Sequence, residues 1–440
     1  MEENNRRYKI AFVTLGCKVN QYETNAMIQK LSDKYDIVSH TEFADIYIIN
    51  TCTVTNMSDR KSRQLLRRCK EINKDAYIIA VGCYAEVSRE ELEKIDEVDL
   101  VLGNKQKKDI DLYIESFLEN KNSNNSSKFI YDSKDNTNNN EYIEFGTVTY
   151  TEKTRAVIKI QDGCNNFCSY CIIPYARGRI VSRNKDNIVK EISKITERGI
   201  KEVVLTGIHI SSYGKEKDDG YRLIDLLEDI NKIDNLKRIR LGSLEPTLIT
   251  DEFCTRLKKV TKMCHHFHLS LQSGCDKTLK EMNRKYTCEE FLEVTKRLRK
   301  LYDDVILTTD IIVGFPNETD EDFEKTYEFL KEINFYKMHI FKYSPRKGTV
   351  AYKMKNQISG AIKDVRSHKL IKLSNENEER YLKSYIGKNV NVLFEEKDGE
   401  YIKGHTQNYI MCKAKLDESK INDIVTVKAI EEKGDCLICI

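Results

Sequence analysis

The residues in this chain best suited to chemistry are cysteines. Cys164, Cys168 and Cys171 stand in the phrase Cys164-Asn-Asn-Phe-Cys168-Ser-Tyr-Cys171, directly after the apolar run Ala156–Ile160. Three thiolates at this spacing can wrap one face of a metal cluster, and no fourth Cys or His lies nearby. A structural zinc site closes with four ligands. A [4Fe–4S] cluster held by three cysteines keeps one iron open for a non-protein ligand. Three more cysteines share a different context: Ile10-Ala-Phe-Val-Thr-Leu-Gly-Cys17, Ile46-Tyr-Ile-Ile-Asn-Thr-Cys52 and Tyr77-Ile-Ile-Ala-Val-Gly-Cys83. Each follows an apolar, strand-like run. Parallel pairing puts such ends on one sheet edge, where open α/β folds bind their ligands. Three ligands rather than four again point to a cluster with an open iron. Three unrelated, half-buried cysteines are the plainer alternative.

The elements that must position these thiols follow from the apolar pattern. The runs Ile10–Leu15, Ile46–Asn50 and Ala76–Val81 alternate with helical stretches across residues 1–118, the βαβα signature of an open parallel sheet. Residues 119–149 are rich in Asn and Ser, a composition that cannot order itself by apolar burial, and are expected to be a linker or long loop. A second alternation fills 150–376, with strands near Ala156–Ile160, Glu202–Leu205, Arg238–Leu241, His266–Leu271, Val305–Ile312 and Met338–Phe341. Six βα repeats form part of a barrel, since a complete one takes about 250 residues. Ile362, Val365, the Lys369 stem, Leu370 and Leu373 mark the apolar face of a connecting helix. Residues 377–440 read as a small antiparallel β-barrel, with Gly399, Gly404 and Gly434 near its turns. The fold class is therefore α/β and multidomain.

Composition limits the rest. The 440 residues carry 73 Lys+Arg against 70 Asp+Glu, a net charge of +3, so any nucleic-acid site is a local patch. Residues 152–201 hold 11 Lys/Arg against 5 Asp/Glu, and Arg60, Lys61, Arg63, Arg67, Arg68 and Lys70 crowd the helix after Cys52. In 377–440 the balance is 10 to 12, so RNA binding there needs one face, with Lys388, Lys403, His405 and Lys413 as cations and Tyr401 and Tyr409 for stacking. Met1–Lys9 lacks an apolar h-region and no run approaches the ~20 apolar residues of a membrane span, so a cytoplasmic, membrane-free protein is expected. Its 14 cysteines then stay reduced. Cys69 and the Cys436-Leu-Ile-Cys439 pair are read as packing, and Cys264, His265, His266 and His268 as strand residues, with zinc the alternative there. No Ser-His-Asp order, HExxH or GxxxxGK competes.

The Cys164–Cys171 phrase resembles the radical S-adenosylmethionine (SAM) enzymes. The resemblance implies that Cys164, Cys168 and Cys171 are catalytic cluster ligands whose open iron chelates SAM. It extends downstream to Thr206-Gly207, Ser243 and Glu245, Gln272, and the phrase Asp310-Ile-Ile-Val-Gly314-Phe-Pro316. These residues, with Arg183, are expected to bind SAM. Arg177 and Arg179 are candidates for SAM's carboxylate or for RNA phosphate, or form a solvated basic face. With both cysteine sets in view, the resemblance narrows to the methylthiotransferases, whose chains carry a three-Cys domain, a radical SAM domain and a C-terminal TRAM domain. Thr14-Leu-Gly-Cys17-Lys-Val-Asn20-Gln21 and Thr206-Gly-Ile-His209-Ile-Ser-Ser-Tyr213-Gly214 resemble the branch acting on N6-threonylcarbamoyladenosine at tRNA position 37. That implies two [4Fe–4S] clusters, the first held by Cys17, Cys52 and Cys83. It implies a reaction that uses one SAM to methylate a sulfur and another to make the 5′-deoxyadenosyl radical, replacing C2–H of the adenine with C2–SCH₃. It further implies a tRNA anticodon arm, an electron donor such as flavodoxin or ferredoxin, and a sulfur source. The alternatives are isopentenyladenosine or a ribosomal protein as target, and a non-catalytic iron–sulfur RNA-binding protein.

Overall fold

A computed structural model describes residues 7–122, 141–151 and 154–440. The N-terminal sheet holds β1 (Lys9–Thr14), β2 (Asp36–Val38), β3 (Ile46–Thr51), β4 (Tyr77–Gly82) and β5 (Leu100–Leu102), all parallel, in the order β2-β1-β3-β4-β5. Helices α1 (Lys18–Leu31), α2 (Asn56–Ile72), α3 (Cys83–Val87), α4 (Arg89–Glu93) and α5 (Ile110–Asn122) cover it. Every residue of β3 is buried. Its alternation sends Tyr47 and Ile49 into one apolar cluster, with Leu66 and Cys69 of α2, and Ile46 and Ile48 into the other, with Met27 and Ile114. Burial on both faces is why the run reads as continuously apolar.

The Asn-rich stretch is not all linker. Residues up to Asn122 end α5, and 123–140 lie outside the described residues. Residues 141–150 have no regular secondary structure but are packed. Val148 is buried against Tyr22 and its N–H donates to Glu191 Oε2 (2.8 Å), and Gln29 of α1 donates to the Thr147 carbonyl (2.8 Å).

The central unit begins with β6 (Arg155–Lys159), followed by the short antiparallel pair β7 (Gln161–Asp162) and β8 (Val181–Ser182). Next come β9 (Glu202–Thr206), β10 (Arg238–Leu241), β11 (His266–Gln272), β12 (Ile306–Val313) and β13 (Lys337–Lys342). Two parallel sheets, β6-β9-β10 and β11-β12-β13, join through single bridges, Ile239 to Met263 and Leu244 to Leu269, into one six-stranded arc. Its helices are α6 (Ile173–Arg177), α7 (Lys185–Glu197), α8 (Leu223–Asn231), α9 (Asp251–Leu257), α10 (Asp276–Glu281), α11 (Cys288–Leu301) and α12 (Asp320–Ile333). One large apolar core unites helices and strands.

Helix α13 (Gly360–Lys383) runs back along β13, with Leu370 and Leu373 of the predicted face buried in the core but its first turn rotated outward. Ile362 and Val365 are 42% and 71% exposed, whereas Lys363, Arg366, Leu370, Ser374 and Asn377 are buried. Arg366 pairs with Glu318 (2.5 Å) and Asp320 (2.7 Å), and Lys363 Nζ donates to the Tyr343 carbonyl (3.0 Å). Long cationic stems bury their carbon while their heads find partners, and these interactions set the helix's rotation.

The chain ends in a closed barrel of β14 (Asn389–Asp398), β15 (Tyr401–Thr406), β16 (Met411–Ala414), β17 (Ile424–Lys433) and β18 (Cys436–Cys439). It is not wholly antiparallel, as expected from the short runs: β16 and β18 pair in parallel. The barrel docks on the amino-terminal ends of the arc's strands. Arg238 donates to the carbonyls of His405 (3.0 Å) and Asn391 (2.8 Å), Asn408 to that of Asp304 (2.9 Å), and Asn422 to that of Gly199 (3.0 Å). Among the described residues no helix is long and apolar enough to cross a membrane.

Candidate active site

Cys17, Cys52 and Cys83 each follow one of three adjacent parallel strands, β1, β3 and β4, and so gather at one sheet edge. Gly16 makes the approach possible: it sits at φ +95°, and a Cβ there would lie 2.8 Å from both Cβ and Sγ of Cys52. Asn20 Nδ2 ties the edge together, donating to the carbonyls of Leu15 (2.7 Å) and Thr51 (3.1 Å). Burial, then the neighbouring Cys83 and Cys17, raise the Cys52 thiol above its ordinary pKa.

Cys164, Cys168 and Cys171 lie on one loop at the carboxyl end of β6 and β7. Gly163, at φ +67°, begins it, and any Cβ there would overlap the Arg179 carbonyl. The turn after α10 pins the loop: Asn283 donates to the carbonyls of Asn166 (3.1 Å) and Phe167 (3.0 Å), and Ser169 N–H to that of Met282 (3.0 Å). Burial pushes the Cys171 thiol up to about 12, with Cys168 and Cys164 adding to the shift.

Each set has an arginine behind it. Arg284 donates to Cys168 Sγ (3.3 Å) and pairs with Glu245 (3.0 Å). Burial would raise the Glu245 carboxyl, but His209 and Arg284 hold it below its ordinary value. Arg177, at the end of the helix that follows Cys171, donates through Nε to Cys83 Sγ across the interface (3.2 Å). Its other nitrogens reach Glu23 (2.6 Å), Asp162 (3.0 Å) and Asn20 (2.7 Å). Lys107 (2.6 Å) and Lys159 (2.7 Å) also converge on Glu23, and all of these side chains are nearly solvent-free. Three buried cations thus face two carboxylates. The residual positive charge lies against Cys83 Sγ. That donor set suits cluster ligation: three soft sulfur ligands in each set, with a guanidinium facing each.

The other predicted residues divide. Thr206 ends β9, and Gly207 packs tightly on Gln161. Ser243 and Asp310 line one cavity, in which Asp310 meets His268 Nε2 (3.2 Å). Gln272 is buried at a β-bulge of β11 with φ +71°. Gly314 faces Lys363, and its N–H donates to Glu318 (2.9 Å), which makes it a turn residue against α13.

Arg183 is the clear correction. It is 1% exposed and clamps Glu144 (2.6 Å) and Glu191 (2.9 Å), holding the 141–150 segment to α7 rather than facing a cofactor. Arg183→Gln is expected to cost about 3–5 kcal/mol of stability, because it leaves buried Glu191 unpaired, while changing SAM affinity less than about twofold. Thermal unfolding and SAM titration check this; a large loss of SAM affinity at unchanged stability would restore the cofactor role. The three arginines considered together fall in three environments: Arg177 in the buried ion network, Arg183 in this clamp, and Arg179 exposed over the Phe167 ring (4.5 Å). Arg284 went unread in the sequence, since it carries no spacing signal, and His209 and Lys18 entered only within the phrases that carry the branch resemblance, with no role assigned. Tyr409 and His405 do not stand on an outer RNA face; they stack on each other (4.6 Å), and Tyr409 stacks on His266 of the arc (4.9 Å). Lys403 and Lys413 are taken by Glu396 (3.2 Å) and Asp398 (2.8 Å).

Three thiols at the carboxyl end of the first strand of a parallel arc, with polar strand-end groups beside them, define an enzyme of the radical SAM class. Residues 158–330 match the Radical SAM superfamily, and residues 9–103 match the Uncharacterized protein family UPF0004. The threonylcarbamoyladenosine tRNA methylthiotransferase MtaB of Bacillus subtilis is 39% identical over 96% of this chain and 94% of its own length; that of Aquifex aeolicus is 41% identical over 92% and 96%. A tRNA-2-methylthio-N(6)-dimethylallyladenosine synthase of Thermodesulfovibrio yellowstonii is 39% identical over 94% of each chain. The radical SAM methyltransferase TsrM of Kitasatospora setae shares the fold at TM-score 0.55 and 13% identity, over 77% of this chain and 75% of its own. The chain belongs to the radical SAM tRNA methylthiotransferase family, and it is a transferase.

Proposed function

We propose that this enzyme transfers a methylthio group to C2 of N6-threonylcarbamoyladenosine at position 37 of tRNA. The observation that carries the reading is Arg177, which belongs to the element following Cys171 yet donates to Cys83, so the two cysteine sets adjoin one interface. Cys164, Cys168 and Cys171 would hold one [4Fe–4S] cluster with SAM at its open iron, and Cys17, Cys52 and Cys83 a second. When bound, these groups supply the reductive cleavage of SAM and a site for the transferred sulfur. The chain's own residues hold that arrangement. Arg284 and Arg177 set guanidinium groups against Cys168 and Cys83, and Glu245 and His209 fix Arg284 and the turn after β9. An unactivated C2–H has no useful acidity, so a radical route needs no general base with a matched pKa. An electron donor such as flavodoxin or ferredoxin and a sulfur source complete the reaction.

The proposed domains are 1–118 for the first cluster, 150–376 for SAM and 377–440 as a TRAM-like RNA-binding barrel. For the anticodon arm, α2 offers Arg60, Lys61, Arg67 and Arg68, all exposed, on the side away from Leu66 and Cys69. Arg179 and Phe167 stand at the cysteine loop. Affinity for an anticodon stem-loop is expected to fall steeply between 50 and 200 mM salt, by about 10-fold or more. Anisotropy titrations at several salt concentrations check this, and a flat dependence removes the phosphate contacts. Relatives of similar identity are named for two different adenosines. Mass spectrometry of tRNA nucleosides, with and without the gene, decides between them. Loss of 2-methylthio-N6-threonylcarbamoyladenosine supports the reading, and loss of only the isopentenyl form overturns it.

A further inference from the structure

A cavity of about 450 Å³ lies within the arc. Ser243 and Asp310 line it toward the carboxyl ends of the strands, and Arg240 and His266 line it deeper. Tyr409 of the small barrel and Lys18, the residue after Cys17, also reach it. It therefore touches all three parts of the chain and adjoins one ligand of the first cysteine set.

Two of its buried polar atoms have no partner among the described residues. Arg240 is 2% exposed, and its Nη1 is unsatisfied, although Nε reaches Glu202 (2.7 Å) and Nη2 the Thr406 carbonyl (3.3 Å). His266 is 7% exposed; Nε2 meets Thr308 Oγ1 (3.1 Å), and Nδ1 is unsatisfied. Burial, then Arg240, hold this imidazole well below its ordinary pKa, so it is neutral. An unsatisfied buried donor or acceptor costs about 1–3 kcal/mol, more when charged, so a pair of such atoms marks a place where a polar ligand group belongs.

The charge has a sign. Arg155, Arg238, Arg240 and Lys18 surround the deep end, against Glu202 and Glu395. The guanidinium groups of Arg155 and Arg240 lie 5.2 and 4.7 Å from the Tyr409 ring. Asp310 meets His268 nearer the carboxyl strand ends, whereas Glu378 is at the deep side, where it takes Lys337 (2.7 Å), the first residue of β13. Asp435 is the other carboxylate lining the cavity. Lys18 makes no ion pair or hydrogen bond among the described residues.

We infer that this cavity receives the N6 arm of the target adenosine and selects an arm that ends in a carboxylate. The inference rests on the function proposed above. A threonylcarbamoyl arm brings a carboxylate for Lys18 and Arg240 and a hydroxyl for His266 Nδ1. An isopentenyl arm brings only carbon, and would strip water from these groups without replacing its hydrogen bonds. Sites built to hydrogen-bond a substrate group reject analogues lacking it far more strongly than apolar pockets reject a missing methylene.

The test uses the reconstituted full-length enzyme and anticodon stem-loops carrying threonylcarbamoyl-, isopentenyl- or unmodified adenosine at position 37. Lys18→Met and Arg240→Gln are compared with wild type by anisotropy, by product formation and by SAM affinity. Both variants are expected to lose about 10-fold or more in affinity and kcat/KM for the threonylcarbamoyl stem-loop. Binding of the unmodified stem-loop and of SAM is expected to change less than about twofold. Arg240 also anchors the small barrel, so Lys18→Met, at an exposed and unpaired side chain, carries the test if Arg240→Gln fails to fold. Equal losses on all three stem-loops, no loss on any, or a loss confined to SAM each overturns the inference. If wild type makes no product on the threonylcarbamoyl stem-loop but does on the isopentenyl one, the proposed function itself has failed, a result visible before any variant is measured.

Discussion

Cys168→Ala is expected to abolish reductive cleavage of SAM, with 5′-deoxyadenosine formation falling about 10³-fold or more, as for removal of one member of a catalytic unit. Cys52→Ala is expected to leave that cleavage largely intact while eliminating the methylthio product. The contrast follows from where the thiols lie. Cys168 is on the loop after β7, faced by Arg284, and that loop is pinned by the turn after α10. Cys52 follows β3 in the other unit, and the segment after it is held separately. Arg346 pairs with Asp59 (2.6 Å) and donates to Asn56 (2.6 Å), and Asn56 N–H donates to Ser344 (3.1 Å). Losing one thiol therefore leaves the other loop's anchors in place. Anaerobic assays that measure 5′-deoxyadenosine and methylthiolated nucleoside side by side check both statements. Cleavage surviving in Cys168→Ala, or product surviving in Cys52→Ala, would show that the sets do not divide the work in this way.

Glu23→Gln is the second large effect. The Glu23 carboxylate neutralises Lys107, Lys159 and Arg177 at distances of 2.6 to 2.7 Å in a solvent-free interface. Its removal leaves Asp162 alone against three buried cations. Breaking a buried ion pair in this manner costs about 3–5 kcal/mol. The effect has a pH signature. Burial would raise Glu23 and Asp162, yet the surrounding cations hold both below the ordinary carboxylate range. A carboxyl depressed in the folded state stabilises above its unfolded pKa, about 4.3 for Glu. That contribution is lost as pH falls through the lower folded value. The stability gap between wild type and Glu23→Gln is therefore full near pH 7 and narrows below about pH 4. Urea unfolding at several pH values measures it. A gap that is small at pH 7, or that widens in acid, would remove Glu23 from its role in joining the two units.

The sequence was most informative where chemistry depends on short spacing or on strand ends. The Cys164–Cys171 phrase is local, and the three strand-plus-cysteine phrases needed only parallel pairing in adjacent positions to converge; β1, β3 and β4 are adjacent. It was least informative where a long polar side chain chooses among distant partners. Arg177, Arg179 and Arg183 lie close together in sequence, yet one joins two units, one lies on the surface and one clamps a segment whose carboxylate, Glu144, follows the Asn-rich insert. The apolar pattern of α13 held at Leu370 and Leu373 but misled at Ile362 and Val365, because Glu318 and Asp320 from elsewhere in the chain draw Arg366 to the buried side of that end.

By itself, then, the sequence determined the order of strands and helices, the gathering of Cys17, Cys52 and Cys83 at one sheet edge and the radical SAM class of the chain. Each of these depends on residues near one another along the chain, where backbone geometry dictates what meets. Only the tertiary structure decided which cation meets which thiol, that the small barrel covers the amino-terminal ends of the arc's strands, and that Arg240 and His266 present unsatisfied atoms to a shared cavity. Charges and hydrogen bonds act through space over a few ångströms, and separation along the chain carries no record of them.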